Sequence, residues 1–548
     1  MEDIDMQYDD GDMEMITVHW FRRGLRLHDN PALHDAVRNS KQFYPIFIFD
    51  GETAGTKIIC YNRMRFILES LHDLDRQFRA SGGRLYVFNG SPIEIFQKLK
   101  QKLGVNRICF EQDSEPIWQP RDEAVKELCK QEGIECIEHI SHTLWNPHEV
   151  IKTNGGVPPL TYQMFLHTVS AIGQPPRPVS DILWEGVKFG QISSGLISDL
   201  QIFDKIPTPE ILGIFPEPTL GERMVRWEGG EHKALALLKE RINVETNAFK
   251  EGYYLPNQAR PDLLGRPTSL SAFLSIGCLS VRRFYWTIHD IFKEVHGNFL
   301  PHNEYITGQL IWREYFYTMS VNNPYYGEME KNPICLNISW KKEYKRDLEK
   351  WSNGKTGFPF IDAVMRQLRQ EGWVHHVARN AVATFLTRGD LWITWEEGLQ
   401  HFLNYLVDAD WSVCAGNWMW VSSSAFEQLL DCTHCVCPVN FGRRLDPWGE
   451  YIRRYVPELQ NYPTEYIYEP WKASIEDQEK AGCIIGRDYP ERMVKHQQAS
   501  MRNKNMMMDI RNSLMRAPPH CCPSNVEEVR QFMWFPESCN DHLSVSAN

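Results

Sequence analysis

Residues 408–420, Asp408-Ala-Asp-Trp-Ser-Val-Cys-Ala-Gly-Asn-Trp-Met-Trp420, hold two carboxylates at i and i+2, a thiol, an amide and three indoles, with no Lys or Arg. Trp411, Trp418 and Trp420 are too large to sit in water at no cost. The polar side chains are short, so they bond only to something brought close. Two readings fit. One is a Trp-rich core helix with two buried, paired acids. The other is the wall of a pocket for a flat heteroaromatic ring, whose N–H groups meet carboxylate and amide and whose faces meet indoles. Residue types alone do not separate them.

Working outward, three stretches carry related chemistry. Thr268-Ser-Leu-Ser271 precedes a helical run, where hydroxyls and free N–H groups can cradle a phosphate or form a plain N-cap. Gln309-Leu-Ile-Trp-Arg-Glu-Tyr315 places an amide and a charged pair in an aromatic helix. Trp373-Val-His-His-Val-Ala-Arg-Asn380 puts His376 and Asn380 one helical turn apart, with Arg379 beside them. Taken singly, each also reads as structural.

These stretches lie where the periodicity is helical, over Lys233–Arg241, Val281–Phe292, Glu304–Met319, Phe360–Gln370, Ala378–Leu386 and Thr394–Leu406. The first part of the chain reads differently. Ile16–Phe21, Tyr44–Phe49, Leu85–Phe88, Arg107–Phe110 and Ile134–Ile137 are short β-rich runs. Between them lie helical stretches such as Asn62–Phe78. This alternation predicts an α/β domain over 16–140, a doubly wound parallel sheet with helices on both sides. No Gly-x-Gly-x-x-Gly follows the first strand, so the domain lacks a dinucleotide fingerprint. Residues 141–220, rich in Pro and Gly, read as a long connector packed over the surface, with only short helical pieces. An all-α domain over 221–516 follows. Residues 517–548 form a tail with a short acidic helix, Val526–Gln531, before Phe532-Met-Trp534.

At 548 residues, 42% hydrophobic and 24% charged, the composition is that of a soluble globular protein. No apolar run approaches the roughly 20 residues needed to span a bilayer, so no membrane partner is expected. Fourteen scattered Cys indicate reduced thiols inside a cell. The net charge is -12, and the seven acids among residues 1–14 supply more than half of it; this segment predicts a disordered tail. The mildly acidic body argues against a protein whose main task is gripping phosphate backbones, so DNA binding is expected to be weak or absent. Cys432, His434, Cys435 and Cys437 superficially suggest zinc, but a Cys-x-x-Cys without a second pair reads as reduced loop cysteines, and no metal is expected.

Taken together and in this order, the stretches resemble the cryptochrome/photolyase family of flavoproteins over nearly the whole chain, about Ile16 to Trp534. Trp20-Phe-Arg-Arg-Gly-Leu-Arg-Leu-His-Asp-Asn-Pro31 resembles the family's opening, and Asp408–Trp420 its flavin-binding signature. The resemblance implies FAD in the helical domain, with an antenna chromophore left open. Arg241, Ser269 and Ser271 would hold its phosphates, Gln309 would contact it near the bend, and His376 would flank the flavin. Asp408 would pair with Arg379 beside the ring and Asp410 would accept from ring N3–H, with Asn417 on the same wall. At position 414, opposite flavin N5, Cys is similar to the insect-type (type I) animal cryptochromes. A neutral thiol is a poor proton donor, so the photoreduced flavin would stay an unprotonated, anionic radical.

By the same resemblance Trp418, Trp395 and Trp340 match the electron-transfer triad, with Trp392 outermost; Trp392 and Trp395, at i and i+3, would share one helix. Photolyases of the (6-4) type use two His, and the second position here is Asn380, which argues against DNA repair. Phe532 and Trp534 resemble the tail motif that insect-type members tuck into the lesion cavity. The resemblance implies a blue-light photoreceptor of the circadian type, which releases its tail in light and binds clock proteins and ubiquitin-ligase components in cytoplasm and nucleus. The rivals are a light-driven (6-4) photolyase and a light-independent clock repressor. Oligomeric state, a homodimer included, stays open.

Overall fold

Among the described residues, β-branched and aromatic runs form five strands: β1 (Met15–Phe21), β2 (Ser40–Phe49), β3 (Tyr86–Asn89), β4 (Arg107–Glu111) and β5 (Glu135–His139). They make one all-parallel sheet in the order β3-β2-β1-β4-β5. Between them run α1 (Pro31–Val37), α2 (Tyr61–Ala80), α3 (Pro92–Leu103) and α4 (Gln119–Glu132). Side chains alternate across the sheet, so each face buries its own set. Phe21, Phe43 and Phe47 pack with Ile67, Leu71 and Phe78 of α2, whereas Trp20, Ile46 and Ile108 pack with Phe96 of α3 and Val125 of α4. The chain therefore winds both ways from β1, as the alternation predicts.

The computed structural model describes residues 15–51, 60–217, 225–252, 262–264, 268–297, 307–426 and 436–516, with side chains to residue 513. The acidic residues 1–14, Cys432, His434, Cys435 and the tail with Phe532 and Trp534 lie outside the described residues.

The connector carries short helical pieces, as its sequence reads. It contains α5 (Pro147–Thr153), α6 (Tyr162–Ile172) and α7 (Ser194–Asp199). Thr161 caps α6 through Met164 N–H at 3.1 Å. Phe165 is fully buried, and the Tyr162 ring stacks on Trp312 with centroids 3.8 Å apart. Helix α6 is core and not surface packing, because its aromatic residues bury it.

The helical region comprises α8 (Glu231–Lys250), α9 (Ser271–Ile276), α10 (Val281–His296), α11 (Thr307–Ser320), α12 (Lys345–Ser352), α13 (Pro359–Glu371), α14 (His376–Thr384), α15 (Trp395–Tyr405), α16 (Trp411–Val421), α17 (Pro438–Leu445), α18 (Glu450–Tyr455), α19 (Ile475–Lys480) and α20 (His496–Arg516). The helix expected over Ala378–Leu386 stops at Thr384 and passes into a π-helical turn, Phe385–Gly389. The turn needs glycine, since a Cβ on Gly389 would lie 2.5 Å from Thr384 O. Trp392 follows with φ +55, in the left-handed region. It is not on α15, which Trp395 opens, and the expected shared helix is corrected to a corner followed by a helix.

The opening motif holds the halves together. Arg22 pairs with Asp122, Arg23 with Glu115 (2.8 Å) and Arg26 with Glu111 (2.9 Å), all buried. Arg26 also donates to Gly277 O (3.1 Å), and Leu25 N–H to Ile276 O (3.3 Å). His28 bonds Glu231 of α8, and Asp29 accepts from Arg282 of α10 (2.7 Å). Gly277 has φ +74 and touches Gly24, where a Cβ would come within 2.4 Å of the Gly24 nitrogen. Asn30 caps α1 and Pro31 takes its first position.

Candidate functional site

The site is built where α16 is wedged between α15 and α11. Two glycines permit the approach. A Cβ on Gly398 of α15 would meet the Trp418 ring at 2.2 Å, and one on Gly416 of α16 would meet Phe316 of α11 at 2.3 Å. The loop before α16 carries Asp408, and Asp410 caps the helix through Val413 N–H at 3.2 Å. Cys414 lies one turn in and is buried.

Asp408 gathers the pieces. Its Oδ2 accepts from Arg379 (2.8 Å) and from the Ser271 hydroxyl (2.6 Å). Ser269 Oγ donates to Ser271 Oγ (2.9 Å) and accepts from Ser271 N–H (3.2 Å). Arg379 is steadied by Val374 O through Nε (2.8 Å). Asp408 Oδ1 is buried and has no hydrogen-bond partner among the described residues. A buried carboxylate oxygen without a donor is costly unless a ligand supplies one. Arg63 and Ser275 anchor the backbone beside it, donating to Ala409 O at 3.1 and 2.7 Å.

His376 and Asn380 are exposed, one turn apart on α14, as are Gln309 at the start of α11 and Asn417 on α16. His375, which the sequence reading passed over, caps α14 through Val377 N–H (3.4 Å), and its ring lies 4.6 Å from that of His376. Desolvation, then the Arg379 charge, holds His376 below the ordinary histidine value. Burial pushes the Cys414 thiol up to about 12, and the Asp408 and Asp410 carboxylates add to it.

Asp410 stands apart. Its oxygens serve Val413 N–H and the Tyr317 hydroxyl, with Arg23 of the α/β half 3.8 Å away. Glu115, bonded to Arg23 and to Ser412 N–H (3.1 Å), is its near neighbour, and burial followed by the nearby carboxylates pushes Glu115 up to about 7 despite Arg23. Asp410, expected to accept from ring N3–H, is engaged as a helix cap at the domain interface, and of the two acids it is Asp408 that has a buried oxygen without a partner among the described residues. Spacing alone could not say which of two acids, two residues apart, turns which way. Arg241 pairs with Glu245 on its own helix (2.6 Å). The Ser269–Ser271 hydroxyls sit at a helix of only six residues, which they do not cap.

Among the indoles, Trp418 packs edge-on to Phe402 (5.0 Å) and to Trp351 (6.3 Å), a buried indole that sequence reasoning missed. Trp340 and Trp392 lie 4.9 Å apart, and Trp392 Nε1 donates to Ser339 O (3.0 Å). Trp395 is fully buried, and its indole Nε1 has no hydrogen-bond partner among the described residues. So the outer pair is in contact, and Trp418 reaches the helix that Trp395 opens.

Comparison with known proteins agrees with this architecture. Residues 17–181 match the DNA photolyase family, and residues 305–509 match the FAD binding domain of DNA photolyase. The chain is 56% identical to cryptochrome-1 of Anopheles gambiae over 539 residues, covering 96% of this chain and 99% of that one. It is also 56% identical to cryptochrome-1 of Drosophila melanogaster (95% and 98% covered), and 46% identical to cryptochrome-2 of Gallus gallus (94% and 87%). A bacterial class III photolyase from Agrobacterium tumefaciens superposes with TM-score 0.72 at 26% identity, covering 90% of this chain and 98% of the other. A Synechocystis cryptochrome superposes with TM-score 0.75 at 22% identity (90% and 99%), a likeness of fold. FAD is the expected cofactor, and the unpartnered Asp408 oxygen, the Arg379 guanidinium and the paired serine hydroxyls suit a molecule with ring N–H donors and phosphates. The chain belongs to the cryptochrome/photolyase family.

Proposed function

We propose that this protein is a blue-light photoreceptor of the insect-type cryptochrome branch, a sensor and not a repair enzyme. The observation that carries the reading is Cys414, a buried thiol whose proton is held to about 12 on the wall between Asp408 and Trp418. FAD, when bound, absorbs blue light and accepts an electron. Asp408, Arg379 and the Ser269–Ser271 pair hold it, with His376, Gln309 and Asn417 around the opening. Cys414 fills the position from which another residue would deliver a proton, and at neutral pH it keeps its own. Trp418 is the inner donor; Trp395 and the Trp340–Trp392 pair relay charge outward. Identity to the insect cryptochromes supports the branch. The test is an absorption spectrum before and after blue illumination. Wild type should bleach, whereas Trp418→Phe should retain flavin and bleach far more slowly, because Phe is much harder to oxidise. Equal rates would mean that the relay is wrongly assigned.

Repair is the rival, supported by the fold shared with a photolyase. Asn380 sits one turn from His376, and its amide cannot take over acid–base work near neutral pH. Light-driven (6-4) repair by the wild-type protein would overturn the sensor reading. For output we propose that light frees residues 517–548 and that clock proteins and ubiquitin-ligase components then bind, in cytoplasm and nucleus. Deleting 517–548 should leave bleaching intact and make partner capture independent of light.

A further inference from the structure

The ring contacts of Trp418 do not end at Trp351; from there they continue to the surface. Trp351 on α12 is fully buried, with its ring centroid 5.4 Å from that of His401 on α15. His401 lies 4.8 Å from Tyr405, one turn further along the same helix. The half-buried Tyr405 donates its hydroxyl proton to Glu217 Oε1 at 2.5 Å. Arg369 holds the other oxygen of that carboxylate through Nε (3.1 Å) and Nη2 (2.8 Å), which leaves Oε1 to the phenol. A buried indole thus connects, through one imidazole ring, to a tyrosine whose proton already points at a base.

We propose that Trp351, His401 and Tyr405 form a second branch of charge transfer from Trp418, ending in oxidation of Tyr405 with loss of its proton to Glu217. The branch rests on the reading of Trp418 as inner donor. Trp418, one electron short after donating, takes an electron from Trp351. Trp351 takes one from Tyr405 across the His401 ring, and the phenolic proton moves to Glu217 Oε1 in the same step. One electron has moved inward and one proton outward, leaving a neutral tyrosyl radical and a protonated Glu217. The two ends of the branch differ in what they do with the charge. Trp351 Nε1 donates to Val382 O (3.1 Å), and a neutral carbonyl does not take the proton of an oxidised indole, so the charge stays mobile there. Tyr405 faces a carboxylate, and Glu217, with its side chain 40% exposed, exchanges the proton with water. Burial, then Glu217, push the phenol up to about 12, so at rest it keeps its proton at neutral pH. Burial, then Arg369, hold His401 down to about 4, so the imidazole is neutral and does not repel a positive charge passing beside it.

The test illuminates full-length, flavin-loaded protein with blue light, freezes it and reads the trapped protein radical by electron paramagnetic resonance. Protein with natural tyrosine is compared with protein carrying ring-deuterated tyrosine, and bleaching is recorded on the same samples. In wild type, deuteration should narrow part of the signal, which identifies a tyrosyl radical. Tyr405→Phe and Trp351→Phe should each abolish that narrowing and leave the radical on an indole. Glu217→Gln should cut the tyrosyl fraction, because an amide does not take the proton. Bleaching with an indole signal alone, or a tyrosyl signal that survives Tyr405→Phe, would overturn the branch while Trp418 keeps its role. A wild type that does not bleach would overturn the reading beneath the branch, and the branch with it. Should Trp351→Phe not fold, Tyr405→Phe, the loss of one hydroxyl from a half-buried ring, decides alone.

Discussion

Two regions of this protein crowd charged side chains together, and they are resolved in opposite ways. At the carboxyl ends of β1 and β4, where the sheet order reverses, α/β folds usually bind a ligand. Here that crevice is closed by protein. Arg22, Arg23, Arg26 and Arg121 each meet a carboxylate, and the helical region docks on them through Tyr317 and Asp410. The loop before α16 is the converse. Asp408 keeps a buried oxygen without a partner among the described residues, and His376, Asn380, Gln309 and Asn417 face solvent. Buried polar atoms without a hydrogen-bond partner among the described residues occur in both regions. Those of the crevice, such as Glu111 Oε1 and Asp113 Oδ1, sit among countercharges that hold the halves in register, whereas the loop is rimmed by side chains that face solvent, where a ligand can enter. Asp408 and Asp410, two residues apart, fall on opposite sides of that division.

The contrast can be broken most forcefully at Arg23. Arg23→Met strands Glu115 and Asp113 in the interior, and should lower stability by roughly 3–5 kcal/mol in chemical denaturation. A loss under about 1 kcal/mol would mean that the crevice is not held by mutual pairing. Asp408→Asn should behave in the opposite sense. It keeps an acceptor for Ser271 and should leave the melting temperature nearly unchanged. It removes charge-assisted bonding worth about 1.5–3 kcal/mol, so flavin should dissociate roughly 10- to 100-fold more readily in equilibrium dialysis. Unchanged flavin retention would move the site elsewhere.

The smallest effect is a pH dependence. Glu314, bonded to Arg313 (2.8 Å) and Leu144 N–H (2.6 Å), is pushed by burial from 4.5 up to about 7. The native protein therefore keeps a proton that the unfolded chain has released. This group's contribution is complete below pH 4.5 and declines as pH rises to about 7. Over that window wild type should lose roughly 3 kcal/mol relative to Glu314→Gln. Parallel stability curves for the two proteins would show that the buried carboxyl is ionised throughout.

The sheet was readable because parallel strands buried on both faces are near-continuous apolar runs, and α2 because its apolar residues recur on one side. The flavin-site residues were readable as a set only through resemblance to a family, since each motif alone had a structural reading. What escaped is long-range. The partners of Arg23 and Asp29 lie about 90 to 294 residues away, and no local pattern announces them. The direction in which Asp410 turns depends on the Tyr317 hydroxyl, 93 residues away in sequence, as well as on the Val413 N–H that it caps. Trp392 was placed on a helix because i,i+3 spacing cannot reveal a π turn just upstream.

Helix α20 is also a measuring rod. Its 21 residues extend about 30 Å at 1.5 Å per residue. One end is pinned beside the Trp392 corner by His496, Arg502 and Asn503, and the helix ends at Arg516. A tilt of a few degrees at the pinned end would move the far end by an ångström or more. The segment that follows Arg516 thus starts from a point whose position is set, at a distance, by the backbone around Gly389 and Asp390.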